Sequence, residues 1–426
     1  MSHIQALRGT KDIFFPEISL WQVIEDISSQ ILDLANYREI RTPIFENSNL
    51  YIRSLGQVTD VVQKEMYNFQ DRGERELTLR PEGTAGVARA FIEQKLYNKS
   101  FPQRFWYSGP MFRYERPQAG RQRQFHQLGI ECLGSIDPRI DVEIMCLALD
   151  ILKKLQISNL RLEINSLGNV ETRTVYKQEL YNYLFQYKSD LDIDSQNRLE
   201  TNPLRLLDSK DSKIKLLLEQ APSILDYLDD FSKKHFNLVC YYLDSLSIEY
   251  IINSNLVRGL DYYNNTTFEI KSLTLGAQDT LCGGGRYDNL IESLGGPSTP
   301  AVGWGMGIER LLLLISRDNF NITKNIDCYL ITIGNNAKKQ SLEILYKLRN
   351  IGLKVDICLS DASLSKQIKK ANQLNAMTCV ILGEDEIRNN SIILKWLNIR
   401  EQEIIELSNI SLIAKKIKTH KETQVV

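Results

Sequence analysis

Histidine is scarce in this 426-residue chain, with four in all. No two of its seven cysteines, at 132, 146, 240, 282, 328, 358 and 379, stand at C-x-x-C spacing. A zinc site or a disulfide framework is therefore not expected, and the thiols read as reduced and mostly buried. Long apolar runs are missing too: those present, such as Leu311–Ile315, fall far short of the roughly 20 residues that span a membrane. The first residues, Met1–Ile13, hold no apolar signal core, so a cytosolic protein is expected. An excess of either charge is also absent. Lys and Arg number 52 against 53 Asp and Glu, a net charge of -1, so a globally basic nucleic-acid binder is not indicated, while a local basic surface remains open. No repeat or low-complexity stretch stands out. What is there is an ordinary globular mix, 43% hydrophobic and 25% charged, which excludes a disordered or collagen-like chain. The length suggests about two to three domains.

Pattern changes divide the chain into three regions. The first covers 1–170 and resumes at 252–322. In it Trp21, Ile24, Ile27, Ile31 and Leu34 recur at helical spacing up to Asn36-Tyr37. Strand-like stretches follow at Phe105–Tyr114, Gln124–Leu133, Arg161–Asn165, Thr266–Lys271 and Thr280–Cys282. With few helices between them, they favour an α+β domain with an antiparallel sheet over a doubly wound parallel one. The second region, 171–251, is rich in Leu, Tyr, Lys, Asp and Ser at helical periods, with Pro203 and Pro222 as breaks. It reads as a helical insertion without a chemical motif. The third, 326–426, alternates strands (Asp327–Gly334, Leu353–Leu359, Thr378–Leu382, Ser391–Leu397) with helices (Ser341–Arg349, Leu364–Asn375). That alternation predicts a small α/β domain. Leu342, Leu345 and Leu348 are expected to share the buried face of its first helix. Lys366, Lys369 and Lys370 cluster on its second, where a solvated face is the plain explanation.

The densest chemistry lies between Phe112 and Gly129. Two strands flank a Pro- and Gly-containing loop, a long hairpin. Alternation puts Arg113 and Glu115 on one face and Phe112 and Tyr114 on the other, while Phe125, Gln127 and Glu131 share a face of the return strand. Arginine suits bidentate phosphate binding and a flat aromatic can stack a base; a salt-bridged, solvent-facing hairpin is the alternative. Upstream, Thr78-Leu79-Arg80-Pro81-Glu82-Gly83-Thr84 either opens a helix at Pro81, with Glu82 at its positive end, or offers Glu82 and Thr84 to a substrate ammonium. Downstream, Arg258 and Tyr263 would face opposite ways in a strand, a conflict that a turn around Gly259 removes; an ordinary strand entry with tyrosine in the core is the alternative. Gly283-Gly284-Gly285 permits close backbone approach but lacks the lysine and hydroxyl of a P-loop and the spacing of a dinucleotide fingerprint. Finally, a glycine-rich strand, Gly303–Gly307, runs into an apolar helix with Arg310 in its first turns, where a buried Glu309–Arg310 pairing is the competing explanation.

These segments, in this order, closely resemble the class II histidyl-tRNA synthetases, and the resemblance covers essentially the whole chain. Tyr37–Pro43, Phe112–Glu115 and Gly303–Arg310 look like the three class II motifs, the first of which lies at a dimer interface. Arg258–Tyr263 and Gly284–Asp288 resemble the two segments particular to the histidine enzymes, and Arg8-Gly9-Thr10-Lys11-Asp12 fits the family's start. Trp304-Gly305 stands where Phe-Ala is more usual, and Gly283 is an extra glycine.

The resemblance implies ATP-dependent ligation of L-histidine to its cognate tRNA through histidyl-adenylate, with Mg²⁺ accompanying the triphosphate, in a cytoplasmic homodimer with no membrane association. It implies Arg113 and Arg258 at the α-phosphate as catalytic residues, Arg310 at the γ-phosphate, Phe125 on adenine, and Glu115 and Arg121 supporting the nucleotide. Glu82, Thr84 and Gln127 would surround the amino-acid backbone, and Glu131, Tyr262, Tyr263 and Tyr287 the imidazole. Gln118 would meet the tRNA acceptor end, no protein metal ligand is indicated, and the C-terminal domain would read the anticodon. Two rivals are a synthetase-like regulatory subunit that binds histidine without charging tRNA, and a pure RNA-binding module. Arg113, Arg258 and Arg310 together argue against both.

Overall fold

The computed structural model describes residues 3–57, 59–209, 211–276, 279–320, 326–399 and 401–424. The chain divides into two compact units, Met1–Phe320 and Asn321–Val426. In the first, eight strands form one sheet in the order Arg38–Glu39, Gln103–Phe112, Gln124–Leu133, Ala301–Gly307, Thr280–Arg286, Asn264–Ser272, Leu160–Ser166, Ile251–Ile252. The inner neighbours all pair antiparallel, as the succession of strand patterns predicts. The two-residue strands at either end pair parallel with their neighbours.

The first hairpin strand stops two residues short of its expected end. Arg113 still donates to the Arg123 carbonyl, but the Tyr114 N–H turns away to the Glu65 carbonyl, at 2.7 Å. Alternation therefore does not govern Arg113–Glu115, and Tyr114 is exposed beneath the Arg123 guanidinium, 3.9 Å from its ring centroid. The strand at Thr280 runs on through the three glycines to Arg286. The helix expected at Pro81 begins instead at Thr84. Leu20, Trp21, Ile24 and Leu32 form the buried stripe of the helix Glu17–Leu34, and the left-handed Asn36 (φ 59°) follows it.

The regular structure of the described residues between Val170 and Ser245 is all helical. Val170–Phe185, Ile193–Thr201 and Ser212–Leu218 each start on an Asn or Asp whose side chain accepts a first-turn N–H, a favourable N-cap. The last helix of the segment, Asp230–Ser245, packs on the helix Pro138–Lys154. There His235 meets the fully buried Asp141, which takes a two-point ion pair from the equally buried Arg286 at 2.7–3.0 Å. The sheet and its helical cover are also joined by Trp304, whose indole N–H donates to the Ile144 carbonyl at 2.8 Å. Trp304→Phe removes that donor in a buried setting, and thermal or urea unfolding should show a loss of about 1–2 kcal/mol.

The second unit has a five-stranded sheet, in the order Val355–Ile357, Ile326–Thr332, Ala376–Leu382, Ser391–Trp396, Gln402–Glu406. Its first three strands are parallel and the last two join antiparallel, an α/β arrangement with two apolar clusters. The helix Asn335–Asn350 buries Ile344, Leu345 and Leu348, but Leu342 is exposed; Ala337 and Ser341 complete the buried face instead. Lys366, Lys369 and Lys370 are exposed on the helix Leu364–Gln373.

Candidate active site

A cavity of about 1060 Å³ opens on the large sheet. Eleven of the residues singled out above line it: Glu82, Thr84, Arg113, Glu115, Arg121, Phe125, Gln127, Arg258, Tyr262, Tyr263 and Arg310. Three do not. Gln118 sits at the hairpin tip, paired through its backbone with Arg121. Glu131 and Tyr287 are buried behind the lining.

Along one side run the cations. Arg113 places its guanidinium 5.4 Å from the Phe125 ring centroid, within cation–π range, while its Nε donates to the Pro81 carbonyl at 2.9 Å. Arg121 pairs with Glu115 at 2.8 Å. Arg310 donates to the Thr280 carbonyl. Burial, together with the charges of Arg121 and Arg113, lowers its pKa, and Glu115 opposes the shift. Glu309 does not pair with Arg310 side by side: it accepts the His126 N–H at 2.9 Å and faces His126 Nδ1 at 3.0 Å.

Arg258 lies in an irregular stretch rather than a strand. The chain turns between Asn253 and Tyr263, so the guanidinium lies 5.7 Å from the Tyr263 ring centroid and the conflict of faces disappears. It forms an ion pair with Glu269, which also accepts the Thr280 hydroxyl at 3.0 Å. Burial is the largest influence and disfavours the Arg258 charge, but Glu269 together with Tyr263, Tyr262 and Cys282 outweighs it and raises the pKa.

The floor is carboxylate and hydroxyl. Both Glu82 oxygens are engaged at 2.8 Å by the N–H groups of Thr84 and Ala85, capping the helix Thr84–Glu93; burial still raises its pKa. Glu131 accepts hydroxyls from Thr84 at 2.7 Å, Tyr107 at 3.3 Å, and Tyr287. Tyr262 packs against both Tyr263 and Tyr287, with ring centroids 4.5 and 5.6 Å away.

Burial pushes the Glu131 carboxyl up to about 8, against the pull of the three hydroxyls. Between its ordinary value of 4.5 and about 8 the folded protein holds a proton that the unfolded chain has lost. Stability therefore falls as pH rises through that window. Glu131→Gln cannot titrate, so the melting temperature of the native protein should decline relative to that variant between about pH 5 and 8. A pH-independent gap between the two melting curves would count against a neutral buried carboxyl.

Tyr107, Glu269 and His126 escaped the sequence reading. Tyr107 had a signal: Gly129 is its partner across the hairpin, and a Cβ on either Gly129 or Gly83 would overlap its ring. Among the described residues no three His, Cys, Asp or Glu side chains cluster as a metal site. The wall carboxylates Glu115 and Glu269 are engaged by arginines. The donor set does not fit a protein-built metal centre.

Chemically, the cavity offers Arg113, Arg121, Arg258 and Arg310 to a polyanion, the Phe125 face beside Arg113, and a polar end lined by tyrosines. A sequence model of the histidyl-tRNA synthetase family matches residues 13–311. The chain belongs to that family. A model of the anticodon-binding domain matches residues 327–417, which contain the second sheet. A protein of Picosynechococcus sp. named histidine–tRNA ligase is 55% identical over 405 residues, 95% of each chain. The chloroplastic histidine–tRNA ligase of Pyropia yezoensis is 53% identical over the full length of both. Among solved structures, apo histidyl-tRNA synthetase of S. aureus superposes with a TM-score of 0.81 at 36% identity, covering 97% of this chain and all of that one. The histidyl-tRNA synthetase family is one of class II enzymes, and the antiparallel sheet with a separate anticodon-binding domain agrees with that membership.

Proposed function

We propose that the large cavity activates L-histidine with ATP and passes it to the 3′-terminal adenosine of its tRNA. In the first step a histidine carboxylate oxygen attacks the α-phosphorus and pyrophosphate leaves. In the second a ribose hydroxyl attacks the adenylate carbonyl and AMP leaves. Such transfers depend chiefly on positioning and charge stabilisation. Arg113 and Arg258 hold the α-phosphate, Arg310 the γ-phosphate, and Mg²⁺ arrives with the triphosphate. Adenine stacks on Phe125, with Glu115 and Arg121 supporting the nucleotide. Glu82, Thr84 and Gln127 take the amino-acid backbone.

The imidazole lies toward Tyr262, Tyr263, Tyr287 and Glu131; its ring N–H replaces a hydroxyl on the Glu131 carboxyl group. Gln118 reaches the acceptor end, the second unit reads the anticodon, and the chain works as a cytoplasmic homodimer. No described helix is long and apolar enough to cross a membrane.

The observation that carries this reading is the convergence of Arg113, Arg121, Arg258 and Arg310 on one cavity that also holds the Glu82, Thr84 and Tyr263 side chains. ATP–pyrophosphate exchange tests it. Exchange should require histidine; a folded protein that exchanges without histidine would overturn the proposal, and one that does not exchange at all would return the histidine-binding regulatory rival.

A further inference from the structure

Behind the loop bearing Arg258 and Tyr263 lies a second cavity, of about 240 Å³. Both residues border the two cavities, so this loop is the partition between them. Its rear face meets the segment 170–245. Arg173, on the helix Val170–Phe185, donates from Nη1 to the Tyr263 carbonyl at 2.8 Å and to the Asp261 carbonyl at 3.3 Å. These bonds go to main-chain oxygens, so they hold the course of the loop rather than any one side chain. Asp261 is fixed from another direction: its N–H donates to the Leu55 carbonyl at 3.3 Å. Its carboxylate packs on Gly56, where a Cβ would overlap it. Arg205, also lining the second cavity, pairs with Asp60 at 3.0 Å.

We propose that Arg173 is a positioning residue for the amino-acid pocket, setting the depth at which Tyr263 and Arg258 enter the larger cavity. The inference rests on the assignment of Tyr263 to the imidazole. The Tyr263 carbonyl is part of the same residue whose phenol faces the pocket, so a shift of that oxygen moves the ring. Arg258 is in contact with that ring and shifts with it. Arginine suits the task because one rigid, permanently charged group can donate to two oxygens at once, whereas a lysine ammonium is a more strongly hydrated point charge on a flexible stem.

ATP–pyrophosphate exchange with the full chain tests this. Arg173→Met should raise the histidine KM at least about tenfold, against the roughly 10²-fold that a 1 Å misplacement of reacting groups costs. The ATP KM should rise less than the histidine KM, because the nucleotide contacts on the hairpin and at Arg310 are untouched, while the displaced Arg258 should show chiefly as a lower kcat. Arg173→Lys should fall between the two, and it carries the test if the Met variant does not fold. A general structural role would instead raise both KM values together and lower the melting temperature in step; that result, or an unchanged histidine KM, overturns the proposal. Tyr263→Phe is measured alongside. If it raises the histidine KM and the Arg173 variants do not, the positioning role falls alone. If neither changes it, the assignment of the loop to histidine falls and takes this inference with it.

Discussion

Arg258→Ala should slow adenylate formation by about 10²–10³-fold, the usual cost of removing one preorganised donor from a site of developing charge, or roughly 2.7–4 kcal/mol. As the histidine carboxylate attacks, charge redistributes on the α-phosphate, and a contact that strengthens at that moment lowers the barrier more than it tightens ground-state binding. Arg258 has the right character: it is charged throughout the working range, and Glu269 with Tyr263, Tyr262 and Cys282 raises its pKa despite burial. Histidine affinity should fall less than the rate. Transfer from separately supplied histidyl-adenylate should suffer less than activation. A purely structural arginine predicts otherwise. Its loss would leave Glu269 with the Thr280 hydroxyl and Lys271, 3.5 Å away, and stability and both half-reactions would decline together. Rapid-quench measurement of the two steps beside a melting curve separates the cases. Near-normal activation in a well-folded Arg258→Ala protein removes this residue from the catalytic set.

The second large effect concerns the choice of amino acid. Glu131→Ala should weaken histidine binding by about 10²-fold or more while leaving ATP within about twofold. A neutral hydrogen bond contributes about 0.5–1.5 kcal/mol net, and a buried donor left without an acceptor costs about 1–3 kcal/mol. In this protein the loss of one carboxylate leaves the hydroxyls of Thr84, Tyr107 and Tyr287 without it. A polar pocket left unpaired can reject an analogue by about 10⁴-fold, so discrimination against isosteres of histidine should suffer as well. Calorimetric titration with histidine and with ATP reads both affinities. Unchanged histidine affinity in a folded Glu131→Ala variant would end its assignment to the imidazole.

Much of the first unit was legible because its signals are local. The return strand of the hairpin runs Gln124–Leu133 as its alternation indicates, and the glycine-rich strand Ala301–Gly307 leads straight into the helix carrying Arg310. What failed depended on partners distant in sequence. Nothing near Tyr114 announces that its N–H will go to the Glu65 carbonyl, so the sequence pattern places the end of that strand two residues too late. Leu342 obeys the helical period, yet Ser341 lies on the buried side. Glu131 belongs to the right face of its strand, but its depth follows from Thr84 and Tyr287, 47 residues before it and 156 after it. The role of Arg173 is of the same kind: no pattern within its helix points to carbonyls near residue 262.

The large sheet ends on both sides in strands of two residues, Arg38–Glu39 and Ile251–Ile252. A long central ladder with open flanks would be a template for other chains, and proteins blunt that hazard with very short edge strands and charged side chains. Arg38 and Glu39 supply the charge on one side, with Arg41 close behind; on the other, Ile251 and Ile252 are exposed but offer only two residues of backbone. The consequence concerns crowding and expression rather than catalysis. Lengthening the apolar flank, by extending the Ile251–Ile252 pairing along Leu160–Ser166, would create a sticky rim, and self-association should appear at high protein concentration before any loss of activity.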